Sequence, residues 1–148
     1  MNIFARIRKQ LEEREGRSLS DWDISFVLRV QPNTLRRLME LPDSKIRPSY
    51  LMALQYVTKV GIEKVEFMNS PTTEELDDVC AQIEDYGMRD SRIAFFMGVS
   101  TRHLRNLRSK VKDVKFVHYL TARYLLDIVR PKGPIEKLER YAEAWASQ

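Results

Sequence analysis

Six polar residues between positions 100 and 108 are of the types that proteins use to contact nucleic acids. The spacing of Leu104 and Leu107 predicts a helix with one apolar face, so the polar side chains point outward. Arginine and asparagine donate hydrogen bonds to guanine and adenine edges, and small hydroxyl side chains bind phosphates. The pattern therefore predicts a surface suited to duplex DNA, formed by Ser100, Thr101, Arg102, Arg105, Asn106 and Arg108.

A second short helix must hold this surface in place, and the residues immediately upstream predict one. Ile93, Ala94 and Met97 lie on one face at helical spacing. Gly98 follows at the point where a tight turn needs a positive φ, and Val99 points back toward the same small core. Two short helices joined by one sharp turn form a helix-turn-helix.

The same pattern occurs 69 residues upstream, at positions 24–38, where Val30, Leu35 and Leu38 match Val99, Leu104 and Leu107. Its outward polar positions supply a second set of candidate DNA contacts, which are Gln31, Asn33, Arg36 and Arg37. Arg29 stands where the downstream copy has Gly98, so we expect modest backbone strain at that turn.

The repeat extends beyond the motif, because residues 62–66 reappear as residues 135–139 after about four inserted residues. We therefore predict an all-α protein with two tandem five-helix units, a first domain over 1–69 and a second over 70–148. The break at 69–73 separates the units. The last predicted helix carries an apolar stripe formed by Ile135, Leu138, Tyr141, Ala142 and Trp145.

Three helix starts are predicted from local signals. Ser20 with Asp23, and Thr72 with Glu75, have the spacing of capping boxes, while Pro32 suits the first turn of a helix. Trp22 is expected to cover the small core of the first unit.

Composition excludes several classes of protein. The chain has 43% hydrophobic and 31% charged residues and no apolar run near the roughly 20 residues of a membrane span. Cys80 is the single cysteine, so an internal disulfide and a cysteine-based zinc site are excluded, and His103 and His118 lack partners at metal spacing. With no phosphate loop or nucleophile elbow, we expect a cytoplasmic protein that is not an enzyme and needs no cofactor.

The net charge of +4 is distributed unevenly. Lys110, Lys112 and Lys115 follow the second candidate reading helix, where mobile ammonium groups suit backbone phosphates better than bases. Because this basic cluster is denser than its upstream counterpart, we expect the second unit to dominate affinity.

The helix order in both halves resembles the phage-repressor and Cro-type DNA-binding domains of bacterial, plasmid and phage regulators. The residues at the characteristic core and turn positions of that family are Ala94, Gly98, Val99, Leu104 and Leu107. The first unit departs from the pattern at Ser25 and Arg29. The resemblance implies a regulator of transcription that reads the major groove of double-stranded DNA. Because the chain is small and has no recognisable ligand-sensing domain, we expect a repressor or an accessory regulator of a mobile element.

Two questions stay open at this stage. The alternative function is a protein–protein adaptor that uses the same fold without binding DNA. The C-terminal apolar stripe either packs on its own unit, which we favour, or pairs two chains into a homodimer. With two candidate readers, one chain could also span successive major grooves about 34 Å apart, on an asymmetric site.

Overall fold

The computed structural model describes residues 1–109 and 113–130, and all regular structure within these ranges is helical. The first five α-helices are α1 Ile3–Glu15, α2 Asp21–Leu28, α3 Pro32–Glu40, α4 Pro48–Val60 and α5 Ile62–Glu66. The next four are α6 Thr73–Asp85, α7 Asp90–Met97, α8 Thr101–Ser109 and α9 Phe116–Val129. The all-α prediction is confirmed for the described ranges. The expected helix from Ile135 and its apolar stripe lie outside them.

The predicted helix starts are present. Ser20 and Asp23 form a reciprocal capping box at α2, Thr72 and Glu75 form one at α6, and Pro32 is the first residue of α3. Such boxes satisfy backbone N–H groups that have no partner inside the helix. The segment between α3 and α4 contains one 3₁₀ turn, formed by Asp43–Lys45.

Both tight turns adopt the left-handed backbone. Gly98 ends α7 with φ 72°, and Arg29 ends α2 with φ 55°, which makes Arg29 the one non-glycine residue with positive φ in the described ranges. Arg29 therefore adopts the left-handed conformation from which the backbone strain is expected. Beyond the turns, α3 and α8 are anchored by buried leucines, namely Leu35, Leu38, Leu104 and Leu107.

The core consists of two hydrophobic clusters that share α9. The first lies among α1–α5 and includes Phe116, Val117 and Leu120 of α9. The second lies among α6–α9 and receives Met52 from α4 at its edge. Helices α4 and α9 form the most extensive helix–helix contact, and the buried Thr121 hydroxyl lies within hydrogen-bond distance of the Ser49 carbonyl, at 2.9 Å. The two halves of the chain are therefore joined through α4 and α9.

Two side chains illustrate how burial follows helix faces. Cys80 is fully buried in the second cluster, as its position between Leu76 and Ile83 predicts. Trp22 does not cover the first cluster as expected, because it lies on the outer face of α2 and is 67% exposed. None of the helices in the described ranges has the length and apolar character needed to span a membrane.

Candidate nucleic-acid interface

Helix α8 presents the predicted polar surface. Leu104 and Leu107 face the second cluster, which leaves Ser100, Arg102 and Arg105 exposed. Thr101 and Asn106 are half-buried at the edges of this face. The Ser100 hydroxyl accepts a hydrogen bond from the His103 N–H at 3.0 Å, which caps the start of the helix. The polar surface therefore begins at a well-defined helix end.

Arg108 does not lie on that surface, so its prediction as a DNA contact needs correction. Its Nε donates to Asp77 at 2.7 Å and its Nη1 donates to Glu84, and both acids belong to α6. Only 17% of the side chain is exposed. An arginine paired with two carboxylates stabilises the packing of α8 on α6 and is not available to DNA in this conformation.

Arg105 is paired differently. Its Nε donates to the Asp90 carboxylate at 2.9 Å, and the Arg105 side chain remains 68% exposed. This hydrogen bond lowers the pKa of Asp90 below its ordinary value, so the carboxylate stays charged. Asp90 is the first residue of α7, where the helix dipole also favours a negative charge.

Helix α3 presents the second predicted surface. Gln31, Asn33, Arg36 and Arg37 are all exposed, while Leu35 and Leu38 face the first cluster. Neither Arg36 nor Arg37 forms an ion pair with another described residue. The acid at the position equivalent to Asp90 is Asp21, and its carboxylate pairs with Arg8 of α1 instead.

Of the three predicted phosphate-binding lysines, Lys115 is described and is exposed immediately before α9. Lys110 and Lys112 lie outside the described ranges.

No group of three histidine, cysteine, aspartate or glutamate side chains suited to a metal ion occurs in 1–109 and 113–130. Burial raises the pKa of the Cys80 thiol to about 12, so it is protonated and unreactive at neutral pH.

A basic cleft of about 580 Å³ lies between the two halves, next to the start of α3. No aspartate or glutamate is among the described residues that line it. Its basic side chains are Arg29, Arg47, Lys115 and His118. Burial, and then the nearby charges of Lys115, His103 and Arg47, lower the pKa of His118 to about 4. The His118 imidazole is therefore neutral at pH 7, and its buried Nδ1 has no hydrogen-bond partner in the described part of the chain.

Two contacts between the halves were not predicted. The Arg29 guanidinium lies 3.7 Å from the centre of the Phe116 ring, and its Nη2 donates to the Met68 carbonyl. The Arg47 side chain lies beside Gly98, where an added Cβ would be 3.6 Å from Arg47 Cδ. The 69-residue shift of the repeat is the sequence signal that relates these two contacts. It matches residue 29 with residue 98 and residue 47 with residue 116.

Sequence reasoning also missed a set of exposed aromatic side chains. Trp22 and Phe26 of α2 are 67% and 61% exposed, and Phe95 of α7, at the position equivalent to Phe26, is 64% exposed. A groove lined mainly by apolar atoms runs beside α2, between Trp22 and Glu66. Exposed aromatic groups of this kind are typical of interaction surfaces.

Comparisons with protein-family models, with curated proteins and with solved structures found no match. The function of the chain is therefore inferred from its own residues and their geometry.

Proposed function

We propose that this protein binds double-stranded DNA and regulates transcription, with α3 and α8 as the helices that enter the major groove. The observation that carries the proposal is the shared design of these helices. Each follows a left-handed turn, buries two leucines and exposes guanidinium groups, with amide and hydroxyl groups exposed or half-buried beside them. These are the groups that bind base edges and phosphates.

We further propose that the chain consists of two repeated units related by an approximate internal two-fold. The contact of Arg29 with Phe116 and the contact of Arg47 with Gly98 support this arrangement. Exchanging the units under the 69-residue shift converts one contact into the other. One chain then carries two readers, and because their exposed residues differ, its site is asymmetric. Blocking a promoter by occupying such a site is the simplest regulatory action, so we propose a repressor.

The two readers are expected to contribute comparably. The expectation that the second unit dominates rests partly on Arg108, which is paired with α6. Arg36 and Arg37 of the first unit are exposed and form no ion pair with described residues. Alanine substitution of Arg36 and of Arg105 should weaken binding by similar factors, corresponding to about 1–3 kcal/mol for a base-reading side chain.

Fluorescence anisotropy with random duplex at low and moderate salt tests the proposal. Arginine and lysine displace counterions from the DNA, so affinity should fall steeply as salt rises. Absence of binding at both salt concentrations would contradict it. Selection of bound sequences from a random pool then gives the site, its length and its symmetry. Leu104→Ala is the structural control, because it should abolish binding through unfolding, at about 2–5 kcal/mol.

A protein–protein adaptor is the second candidate function, and the exposed Trp22 and Phe26 favour it. These side chains flank an apolar groove on α2 that a partner peptide could fill. An adaptor need have no affinity for duplex DNA. Trp22→Ala would then abolish partner binding, whereas a DNA reader should retain its sequence preference in that variant.

A further inference from the structure

Arg105 and Asp90 form a pair in which only one edge of the guanidinium is occupied. Asp90 Oδ2 accepts from Nε at 2.9 Å, while Nη1 and Nη2 have no partner among the described residues. We propose, on the basis of the proposed function, that Asp90 is a positioning residue that presents the two terminal amino groups of Arg105 to a guanine. The second half-site should therefore contain a guanine read by Arg105.

The hydrogen-bond donors of the Arg105 guanidinium match the hydrogen-bond acceptors of guanine. A guanidinium is planar and carries five N–H donors in fixed directions. Guanine presents two acceptors, O6 and N7, side by side in the major groove, and two parallel donors satisfy both. A carboxylate that holds Nε fixes the plane of the guanidinium and leaves the Nη1–Nη2 edge free for this bidentate contact.

In Arg108, by contrast, the Nη1–Nη2 edge of the guanidinium is already partly occupied by a carboxylate of the protein. Its Nε and its Nη1 both donate to carboxylates of α6, so only one terminal amino group remains. The side chain is also 17% exposed, against 68% for Arg105. Of these two arginines, only Arg105 retains the exposed donor pair that guanine needs.

The first unit provides an internal comparison. Asp21 and Arg36 occupy the positions equivalent to Asp90 and Arg105, but Asp21 pairs with Arg8. The position equivalent to Arg8 is Asp77, which pairs with Arg108. One reversed charge on the first helix of each unit therefore decides whether the acid is free to hold the reading arginine. It is free in the second unit only.

Because Asp90 orders the Arg105 side chain before DNA binds, the preference of Arg105 for guanine should be stronger. A free arginine samples many rotamers and loses that freedom when it binds, whereas a positioned one loses less. Ordering one such side chain corresponds to roughly 2- to 12-fold in affinity. The gain applies only to sites where Arg105 makes its contact, so it appears in the ratio of guanine to non-guanine sites.

The experiment compares sequence selection by the 148-residue wild-type chain and by its variants. Arg105→Ala should erase preference at one guanine of the selected site, a loss of roughly 5- to 140-fold in discrimination. Asp90→Asn should reduce the guanine preference at that position by roughly 2- to 12-fold. Asp21→Asn is the matched control, since it removes the same charge from the first residue of the equivalent helix without touching Arg36. Asp21→Asn should leave the base preference unchanged at the position read by Arg105 and at the position read by Arg36.

Each contrary outcome has its own meaning. If the wild type selects no sequence, the proposed function fails and the role of Asp90 fails with it. If selection succeeds but Asp90→Asn matches Asp21→Asn in guanine preference, Asp90 does not position Arg105. If Asp90→Asn sharpens the preference, the carboxylate withholds Arg105 from DNA, and the inference is overturned. Circular dichroism of each variant confirms that the fold is retained.

Discussion

Single residues set the two tight turns. Gly98 has φ 72°, a conformation that costs an L side chain about 1–2 kcal/mol. Arg29 adopts the same conformation, and its side chain stacks on Phe116 and donates to the Met68 carbonyl. Contacts with the rest of the molecule therefore hold Arg29 in a backbone region that glycine enters freely.

We expect Gly98→Ala to lower the free energy of unfolding by about 1–2 kcal/mol. The cost is one of backbone angle alone, because the added Cβ would meet Arg47 Cδ at 3.6 Å, an ordinary contact. Urea denaturation measures it. At the equivalent turn, Arg29→Gly should be less harmful than Arg29→Ala, since both lose the stack but only alanine keeps the strain. Equal stability of these two variants would show that Arg29 is unstrained.

His118 should make stability depend on pH below neutrality. Its folded pKa of about 4 lies below the ordinary 6.5, so the unfolded chain takes up a proton first as the pH falls. The stability from the neutral imidazole is present above about pH 7 and is lost progressively between pH 6.5 and 4, up to about 3 kcal/mol. Thermal unfolding of the wild type and His118→Gln over this range measures the effect. The variant should have the flatter profile.

At the scale of helices, α8 carries a structural arginine, Arg108, within one turn of the arginine proposed to read DNA, Arg105. Arg108→Ala should lower stability by about 1–2 kcal/mol, because Asp77 and Glu84 lose their partner but remain partly hydrated. It should leave the selected DNA sequence unchanged. Arg105→Ala should do the reverse. Denaturation and sequence selection, run on both variants, measure the two effects separately, and a changed sequence preference in Arg108→Ala would contradict the assignment.

Helix ends were predictable from the sequence, whereas the partners of exposed charges were not. Capping boxes at Ser20 and Thr72 depend on residues three apart, so the signal is local. Arg108 was assigned to the DNA face because it follows Arg105 on a polar stripe. Its partners, Asp77 and Glu84, are 31 and 24 residues away on α6, and only tertiary packing brings them close. The exposed position of Trp22 was missed for the same reason.

At the scale of the molecule, α9 belongs to both hydrophobic clusters. Phe116, Val117 and Leu120 complete the first cluster, while Leu125 and Leu126 belong to the second. The repeat predicted two units but not this sharing, because the apolar pattern of α9 shows which residues are buried and not which cluster they enter. The two halves should therefore unfold together.

We expect Leu120→Ala, at a fully buried position, to destabilise the whole chain by about 2–5 kcal/mol. Amide hydrogen exchange should show faster global opening in α1 as well as in α6, because the lost packing is shared. Exchange that increases in one half alone would indicate two independently folding units.

Because α4 and α9 pack within a single chain, the proposed readers stay together at any abundance of the protein. Two separate chains must meet before they can bind as a pair, so their paired fraction declines as copies become scarce. Linked readers instead meet the second groove at a local concentration fixed by the chain itself. For the proposed DNA binder, occupancy of the site should then rise in proportion to the number of molecules, without a threshold.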